Sequence, residues 1–444
     1  MAQSPAADRN PQARAMRDQA RQIFQQALSG ATIEKAFQRH VRCERGILRV
    51  CEDLYDLHSY GRILVVSLGK AGHSMARALE AQVGSSLQGI VASPTMPESQ
   101  VHGFRYFCGG HPTPTAESIR AAEAILKSVS AQNASSLVLF LLSGGGSSIA
   151  EKPIDDEISL ADLIATYRAL VHSGAPISEM NAIRKHLSAI KGGRLARAAY
   201  PAQQVSLLVS DVPDNTPDAL ASGPTMPDST TVNDCYAIAA KHHLLEQFPP
   251  SVAELFHRHA LEETPESDDP AFQRSRWWTI LSNKAAAEEA GAVATGLGFA
   301  VELDNSCDDW DYERATEYLL SRLRELRKTV SKVCLISGGE VTVKVINGGV
   351  GGRNQQFALA CAMRIAGENI AVLSAGTDGI DGNSPAAGAV VDGTTVERAK
   401  TQGLDPSTAL ARFDAYLFFN ALGDAVMTGP TGNNVRDLRI LLAY

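Results

Sequence analysis

Short apolar runs alternate with helical stretches along this whole chain, and two of the runs end in consecutive serines and glycines. The alternation is the rhythm of a parallel sheet wrapped by helices. The two run ends are 137–142 into Ser143-Gly144-Gly145-Gly146-Ser147-Ser148, and 333–336 into Ser337-Gly338-Gly339-Glu340. A strand that empties into glycines lets backbone N–H groups converge on an anion, because no Cβ blocks the approach, and neighbouring hydroxyls add donors. A chain built this way is expected to handle phosphate.

At 444 residues the chain exceeds the size at which one hydrophobic core stops growing, so two domains are expected. Strands are predicted at 62–67, 89–92, 137–142 and 205–210, with helices at 72–82, 116–130, 178–190 and 232–242. Several of these helices begin on Ser or Thr in an N-cap position. The acidic, proline-bounded stretch 262–270 reads as a solvated connection, which places a first domain at 16–261 and a second at 271–444. Strands at 277–281, 299–303, 333–336, 342–346, 371–373 and 416–419, with helices at 283–296, 310–328 and 354–365, would build the second. The expected fold class is α/β: a Rossmann-like, doubly wound parallel-sheet domain plus a second, smaller α/β domain, with the active site in the cleft between them.

Composition narrows the function. A formal net charge of -8 argues against a nucleic-acid surface, which needs clustered excess Lys and Arg. No apolar run approaches the roughly 20 residues that span a bilayer, and the polar start lacks a signal-peptide core, so a cytoplasmic protein without a membrane partner is expected. The seven cysteines contain no C-x-x-C pair and are odd in number, which points to reduced thiols. The paired histidines, His242-His243 and His257-x-His259, lack companion ligands for a zinc site.

Chemistry in open α/β sheets sits just beyond the carboxyl ends of strands. After the run at 62–67 comes Gly69-Lys70-Ala71-Gly72, an ammonium between two glycines at a helix start, which matches neither a Walker A loop nor a dinucleotide fingerprint. After 205–210 stands Asp211, and after 371–373 comes Ser374-Ala375-Gly376-Thr377-Asp378-Gly379-Ile380-Asp381-Gly382. A carboxylate so placed can hold Mg²⁺ together with substrate phosphates, or take a proton from a hydroxyl. Capping of the next turn is the bland alternative. Lys185 lies on the polar side of a helix whose Met180, Ile183, Leu187 and Ile190 recur at helical spacing, and Lys191-Gly192-Gly193-Arg194 adds cations just beyond. Gly351-Gly352-Arg353 opens a further helix with an arginine able to fork onto phosphate or carboxylate oxygens. A donor-lined cradle, cations, carboxylates and a proton acceptor together suit phosphoryl transfer better than a hydrolase triad or a metalloprotease site, neither of which has its motif here.

In combination these motifs resemble those of the glycerate 2-kinases whose C-terminal part is called the MOFRL domain. The resemblance runs from about residue 19 to 442 and is carried by Ser67 to Gly72, Gly110-His111-Pro112-Thr113-Pro114, Leu142 to Ser148, Arg184 to Ser188, Lys191 to Arg194, Ser222 to Thr225, Ser337 to Glu340, Gly351 to Gln355, Thr377 to Gly382 and Thr428 to Gly432. It implies transfer of the γ-phosphate of ATP, with Mg²⁺, to the 2-hydroxyl of D-glycerate, giving 2-phosphoglycerate and ADP. It further implies Lys70 and Arg353 as the catalytic cations, and Ser143, Gly144, Gly145, Gly146, Ser147 and Ser148 as the nucleotide-phosphate cradle with Lys185, Lys191 and Glu340 nearby. Asp211 and Asp378 are the candidates for general base and metal ligand. The partners implied are nucleotide and a small-molecule acid, and a homodimer is allowed.

Two loops depart from the family pattern. Val212-Pro213-Asp214-Asn215-Thr216-Pro217 stands where members read V-P-G-D-D-P, and Asn383-Ser384-Pro385 where P-T-D is common. The competing functions are an NAD(P)H-dependent hydroxypyruvate reductase, for which the G-x-G-x-x-G spacing is missing, and a non-catalytic sugar-phosphate-binding protein.

Overall fold

A computed structural model describes residues 10–84, 87–346 and 348–444. These form two compact units, one of Ile33–Ile280 and one that joins Leu281–Tyr444 to the chain up to Thr32.

The first unit opens with a small antiparallel sheet, β1 (Val41–Glu44), β2 (Ile47–Val50) and β3 (Asp53–Asp56), which the alternation of long runs does not foretell. Its main sheet holds β4 (Arg62–Leu68), β5 (Gln88–Ser93), β6 (Phe104–Cys108), β7 (Ser136–Ser143), β8 (Gln203–Val209) and β9 (Ser275–Leu281) in the order β6-β5-β4-β7-β8-β9. Strands β4 to β8 are parallel. Numbered from β4, that order is 3-2-1-4-5-6, the Rossmann order, and its direction of winding reverses between β4 and β7. Alternate residues serve the two faces. Leu64, Val66, Val138 and Phe140 pack on Ala122, Ile125 and Val129 of the helix Ala116–Val129. The helix Gly72–Val83 packs on the same strands, with Met75 and Leu79 fully buried. A satellite cluster joins the helices Leu160–His172, Ile177–His186, Val232–Lys241 and Pro250–His257 through Leu163, Ile183, Ile238 and Phe256.

The second unit contains β10 (Ala300–Leu303), β11 (Val333–Gly338), β12 (Ile370–Gly376), β13 (Gly388–Asp392), β14 (Ala425–Val426) and β15 (Asp437–Ala443), ordered β10-β11-β15-β12-β13-β14. Among the described residues of this sheet only β10 and β11 pair in parallel; β15 runs antiparallel to both of its neighbours, so the sheet is mixed. The helices Tyr312–Thr329 and Arg353–Arg364 bury Leu319, Leu323, Phe357 and Cys361 against Leu335, Val372 and Leu441. The helices Pro11–Gly30 and Asn283–Gly296 pack on each other and on the same sheet. Met16, Ala20, Ile23, Phe24 and Ala27 form the buried stripe of the former, which starts on Pro11 with the Asn10 side chain accepting from the Ala13 N–H.

The expected domain boundaries move in two places. The helix Pro11–Gly30 belongs to the second unit, because its apolar stripe lies against β12, β13 and β15. The segment 262–270 is no free connection. Asp269 accepts from Arg197 Nη2 at 2.8 Å, Thr264 donates to Asp228 at 3.0 Å, and the chain then enters β9 as the outer strand of the first unit's sheet. Two predicted strands also fail. Residues 416–419 lie in the helix Ala415–Leu422, whose Ala415, Phe418, Phe419 and Leu422 are buried at helical spacing. Residues 342–346 have only an isolated bridge from Thr342 to Asp311, leaving Val345 and Ile346 exposed. All seven cysteines are free thiols. Among the described residues, no helix is long and apolar enough to cross a membrane.

Candidate active site

The reversal between β4 and β7 brings together the two loops that follow them. Lys70 donates its backbone N–H to the carbonyl of Gly144 at 2.8 Å, and Ala71 donates to Ser143 Oγ at 3.0 Å. Glycine is required at this join. A Cβ on Gly144 would run into the carboxylate of Asp211, and Gly145, at φ +80°, would put one 2.8 Å from the His111 ring and 3.1 Å from Lys70 Cγ. Lys70, the Ser143 to Ser148 loop and Asp211 therefore share one corner of the Rossmann unit, with Lys70 exposed and Asp211 half-buried. His111, which carries no role in the sequence reading, joins them. Burial, and then the charge of Lys70, lower its pKa from the usual histidine value.

The two glycine loops differ in what their donors do. In the first, the N–H groups of Gly145, Gly146 and Ser147 meet no protein acceptor among the described residues. In the second, Gly338 N–H donates to Asn305 at 2.7 Å, Gly339 to Asn283 at 2.8 Å and Glu340 to Asp308 at 3.0 Å. The donors of the loop 337–340 are thus taken by side chains of other segments, while three in the loop 143–148 stay open.

The expected basic helix face is largely internal. Lys185 is buried between Asp218 at 3.0 Å and Asp228 at 3.1 Å. Lys191 is buried against Glu151 and donates to Tyr167 Oη at 2.9 Å, and burial pushes its pKa down to about 7. The structure brings Lys191, Ser147 and Ser148 to the lining of one cavity, while Lys185 stands apart from it.

In the second unit, Arg353 and Glu340 meet on the wall of a cavity of about 740 Å³. Arg353 forks onto Asp437 with Nε–Oδ2 at 2.6 Å and reaches Glu340 Oε1 at 2.7 Å. Burial alone would lower its pKa, but the bond to Asp437 and the charge of Glu340 raise it further. Burial, opposed chiefly by Arg353, holds Glu340 above the usual carboxylate range. Arg436 forks onto Asp308 at 2.6 Å on the same wall. Asp378 lines this cavity and accepts from the Ile380 N–H at 3.1 Å. Asp381, on the same wall, accepts from the N–H groups of Asn354 and Gln355, the first turn of the Arg353 helix, and burial pushes it up to about 7. Asp437, Arg436 and Asp308 are absent from the sequence reading because pairing across 84 and 128 residues leaves no local pattern.

For Mg²⁺ the donor set is sparse. No group of three or more His, Cys, Asp or Glu that could hold a metal occurs among the described residues. Asp211 beside open N–H groups, or Asp378 in its cavity, would suit an ion that takes one carboxylate and fills its remaining positions with phosphate oxygens and water.

Comparison with known proteins finds the domain of unknown function DUF4147 over residues 19–257 and the MOFRL family over residues 333–437. The D-glycerate 2-kinase of Thermotoga maritima is 37% identical over 386 residues, covering 85% of this chain and 90% of that protein. A putative hydroxypyruvate reductase of Agrobacterium vitis is 39% identical over 390 residues, covering 86% of this chain and 87% of that protein. The crystal structure of a glycerate kinase from Thermotoga maritima superposes with a TM-score of 0.85 at 33% identity, covering 97% of this chain and all of that one.

Proposed function

This chain belongs to the glycerate kinase family that joins a DUF4147 domain to a MOFRL domain, and we propose that it transfers the γ-phosphate of ATP to the 2-hydroxyl of D-glycerate, giving 2-phosphoglycerate and ADP. The observation that carries this reading is the open set of N–H groups at Gly145, Gly146 and Ser147, set beside Lys70 at the point where the Rossmann sheet reverses. Such amides bind phosphate oxygens without reorganising, and the nearby ammonium stabilises charge as the phosphoryl group moves. Phosphoryl transfer asks little else of a protein beyond positioning and charge neutralisation.

In this reading Lys70 and Arg353 are the cations of one reaction, and the loop 143–148 cradles the nucleotide phosphates. Asp211 and Asp378 would hold Mg²⁺ through one carboxylate each, and one of them would take the proton of the acceptor hydroxyl. Mg²⁺, when bound, neutralises phosphate charge. Arg353 is held by Asp437 and Glu340, so it is oriented before any ligand arrives.

The reductase reading draws on the names of some relatives and on the strand order that dinucleotide enzymes share. The loop after β4 argues against it, since Gly69-Lys70-Ala71-Gly72 lacks the G-x-G-x-x-G spacing and puts a lysine where a pyrophosphate needs close backbone approach. Incubation of the purified protein with D-glycerate, ATP and Mg²⁺, with the product identified by ³¹P NMR, tests the proposal. 2-Phosphoglycerate is expected. 3-Phosphoglycerate would correct the acceptor position, and NADH-dependent loss of hydroxypyruvate without phosphate transfer would replace the reading.

A further inference from the structure

Ser147 and Ser148, the last residues of the open loop, line a cavity of about 370 Å³ on the Rossmann unit, whereas Gly144, Gly145 and Lys70 do not. Its wall is cationic. Arg184, in the last turn of the helix Ile177–His186, lies with its guanidinium 5.0 Å from the centre of the Tyr167 ring, and Arg168 stands exposed on the same wall. Behind them a buried network balances its own charge. Glu151 accepts from Lys191, from the Tyr167 hydroxyl and from Ser188 Oγ at 2.6 Å. That network holds the Tyr167 ring in place and includes no contact to Arg184, which has no carboxylate partner among the described residues. The Arg184 Nε is buried with no hydrogen-bond partner among the described residues. A half-buried guanidinium that lacks a counter-ion is costly, and an anion entering the cavity would relieve the cost.

We propose that this cavity binds the carboxylate of the acceptor, a short 2-hydroxy acid, and that Arg184 is the residue that grips it. The proposal rests on the kinase reading. The planar fork of Arg184 matches a carboxylate in a way a lysine cannot. The cavity volume is at the small end for ligand sites and suits a three-carbon acid better than a nucleotide. Gly145 and Gly146, two of the three open N–H donors, do not line this cavity, which sets an anion beside Arg184 apart from a phosphate held by them. Ser147 borders both places and relates the acceptor to the phosphates.

Full-length wild type, Arg184→Lys and Arg184→Gln are to be compared in steady-state kinetics, varying D-glycerate and ATP separately, with thermal melts as a control for folding. The expected result is a KM for D-glycerate raised by about 10- to 100-fold in Arg184→Gln, as for loss of a charged hydrogen bond, with the KM for ATP within about twofold of wild type. Arg184→Lys should fall between, since it keeps charge and loses the fork. Calorimetric titration of the wild type with D-glycerate, glycerol and inorganic phosphate adds a direct arm. Binding of D-glycerate that glycerol does not share, and that Arg184→Gln loses, supports the proposal. An unchanged KM for D-glycerate in an active, folded Arg184→Gln protein overturns it and leaves the kinase reading standing. Phosphate that binds in an Arg184-dependent way as tightly as D-glycerate makes the cavity a phosphate site, which also overturns it. A wild type that phosphorylates nothing removes the kinase reading and this proposal together.

Discussion

Lys185 and Lys70 are both lysines that the sequence offers as site cations, yet burial divides them. Lys70 is exposed beside open N–H groups, while Lys185 neutralises two aspartates inside the Rossmann unit. Removing Lys185 would strand the fully buried carboxylate of Asp228 without a cation. Lys185→Met is therefore expected to destabilise the protein by about 3–5 kcal/mol, read as a fall in thermal midpoint, and an unchanged midpoint would refute the pairing. Acid should expose the same interaction. Burial pushes the Asp228 carboxyl up, but Lys185 and the Thr230 hydrogen bonds more than offset this and leave it below the usual aspartate value. A group depressed in the folded state stabilises at pH above its unfolded value and loses that contribution as pH falls through the folded value. Wild type should therefore lose stability below about pH 4 more steeply than Asp228→Asn, in melts followed across acid pH; parallel curves would count against it.

At the scale of elements, the strand expected at 137–142 is β7, and the glycine loop follows it directly. Its glycines are legible because consecutive glycines after a buried strand have few other uses, and the join to the Lys70 loop explains them. Gly144→Ala would drive a methyl into the Asp211 carboxylate. It is expected to lower kcat by about 10²–10³-fold, as for loss of an oriented donor set, with the far-ultraviolet circular dichroism of wild type; near-normal kcat would show that the join is not needed. The loop 337–340 begins with the same Ser-Gly-Gly and has the opposite fate, because Asn283, Asn305 and Asp308 occupy its donors from other segments. No local pattern shows which donors distant side chains will take. The helix Ala415–Leu422 shows a related limit: Tyr416 to Phe419 favour strands by residue type, but burial recurs at three and four residues, which decides for helix. Strand β15 has no counterpart among the strands expected from the sequence, although every one of its residues is buried and it pairs with both β11 and β12.

For the molecule as a whole, the alternation of apolar runs and helices was enough to read the Rossmann sheet, since β4, β5, β7 and β8 all fall where apolar runs stand. Domain membership was not legible, because it depends on which sheet a helix covers. Met16, Ile23 and Phe24 of the helix Pro11–Gly30 are buried in the second unit, each worth about 1.5–3 kcal/mol. A fragment of residues 281–444 is therefore expected to melt non-cooperatively and bind a hydrophobic dye, while the same fragment fused to residues 10–32 melts cooperatively. Equal melting of the two would return the helix to the other unit.

In the proposed function, Lys70 and Arg353 serve a single phosphoryl transfer. The most direct measurement is the single-turnover rate of γ-phosphate transfer to D-glycerate in Lys70→Ala, Arg353→Ala and the double variant. Each single change should slow transfer by about 10²–10³-fold, and the double should be slowed by far less than the product of the two, as for groups that act as a unit. A wild-type rate in Arg353→Ala, or in Lys70→Ala, would contradict it.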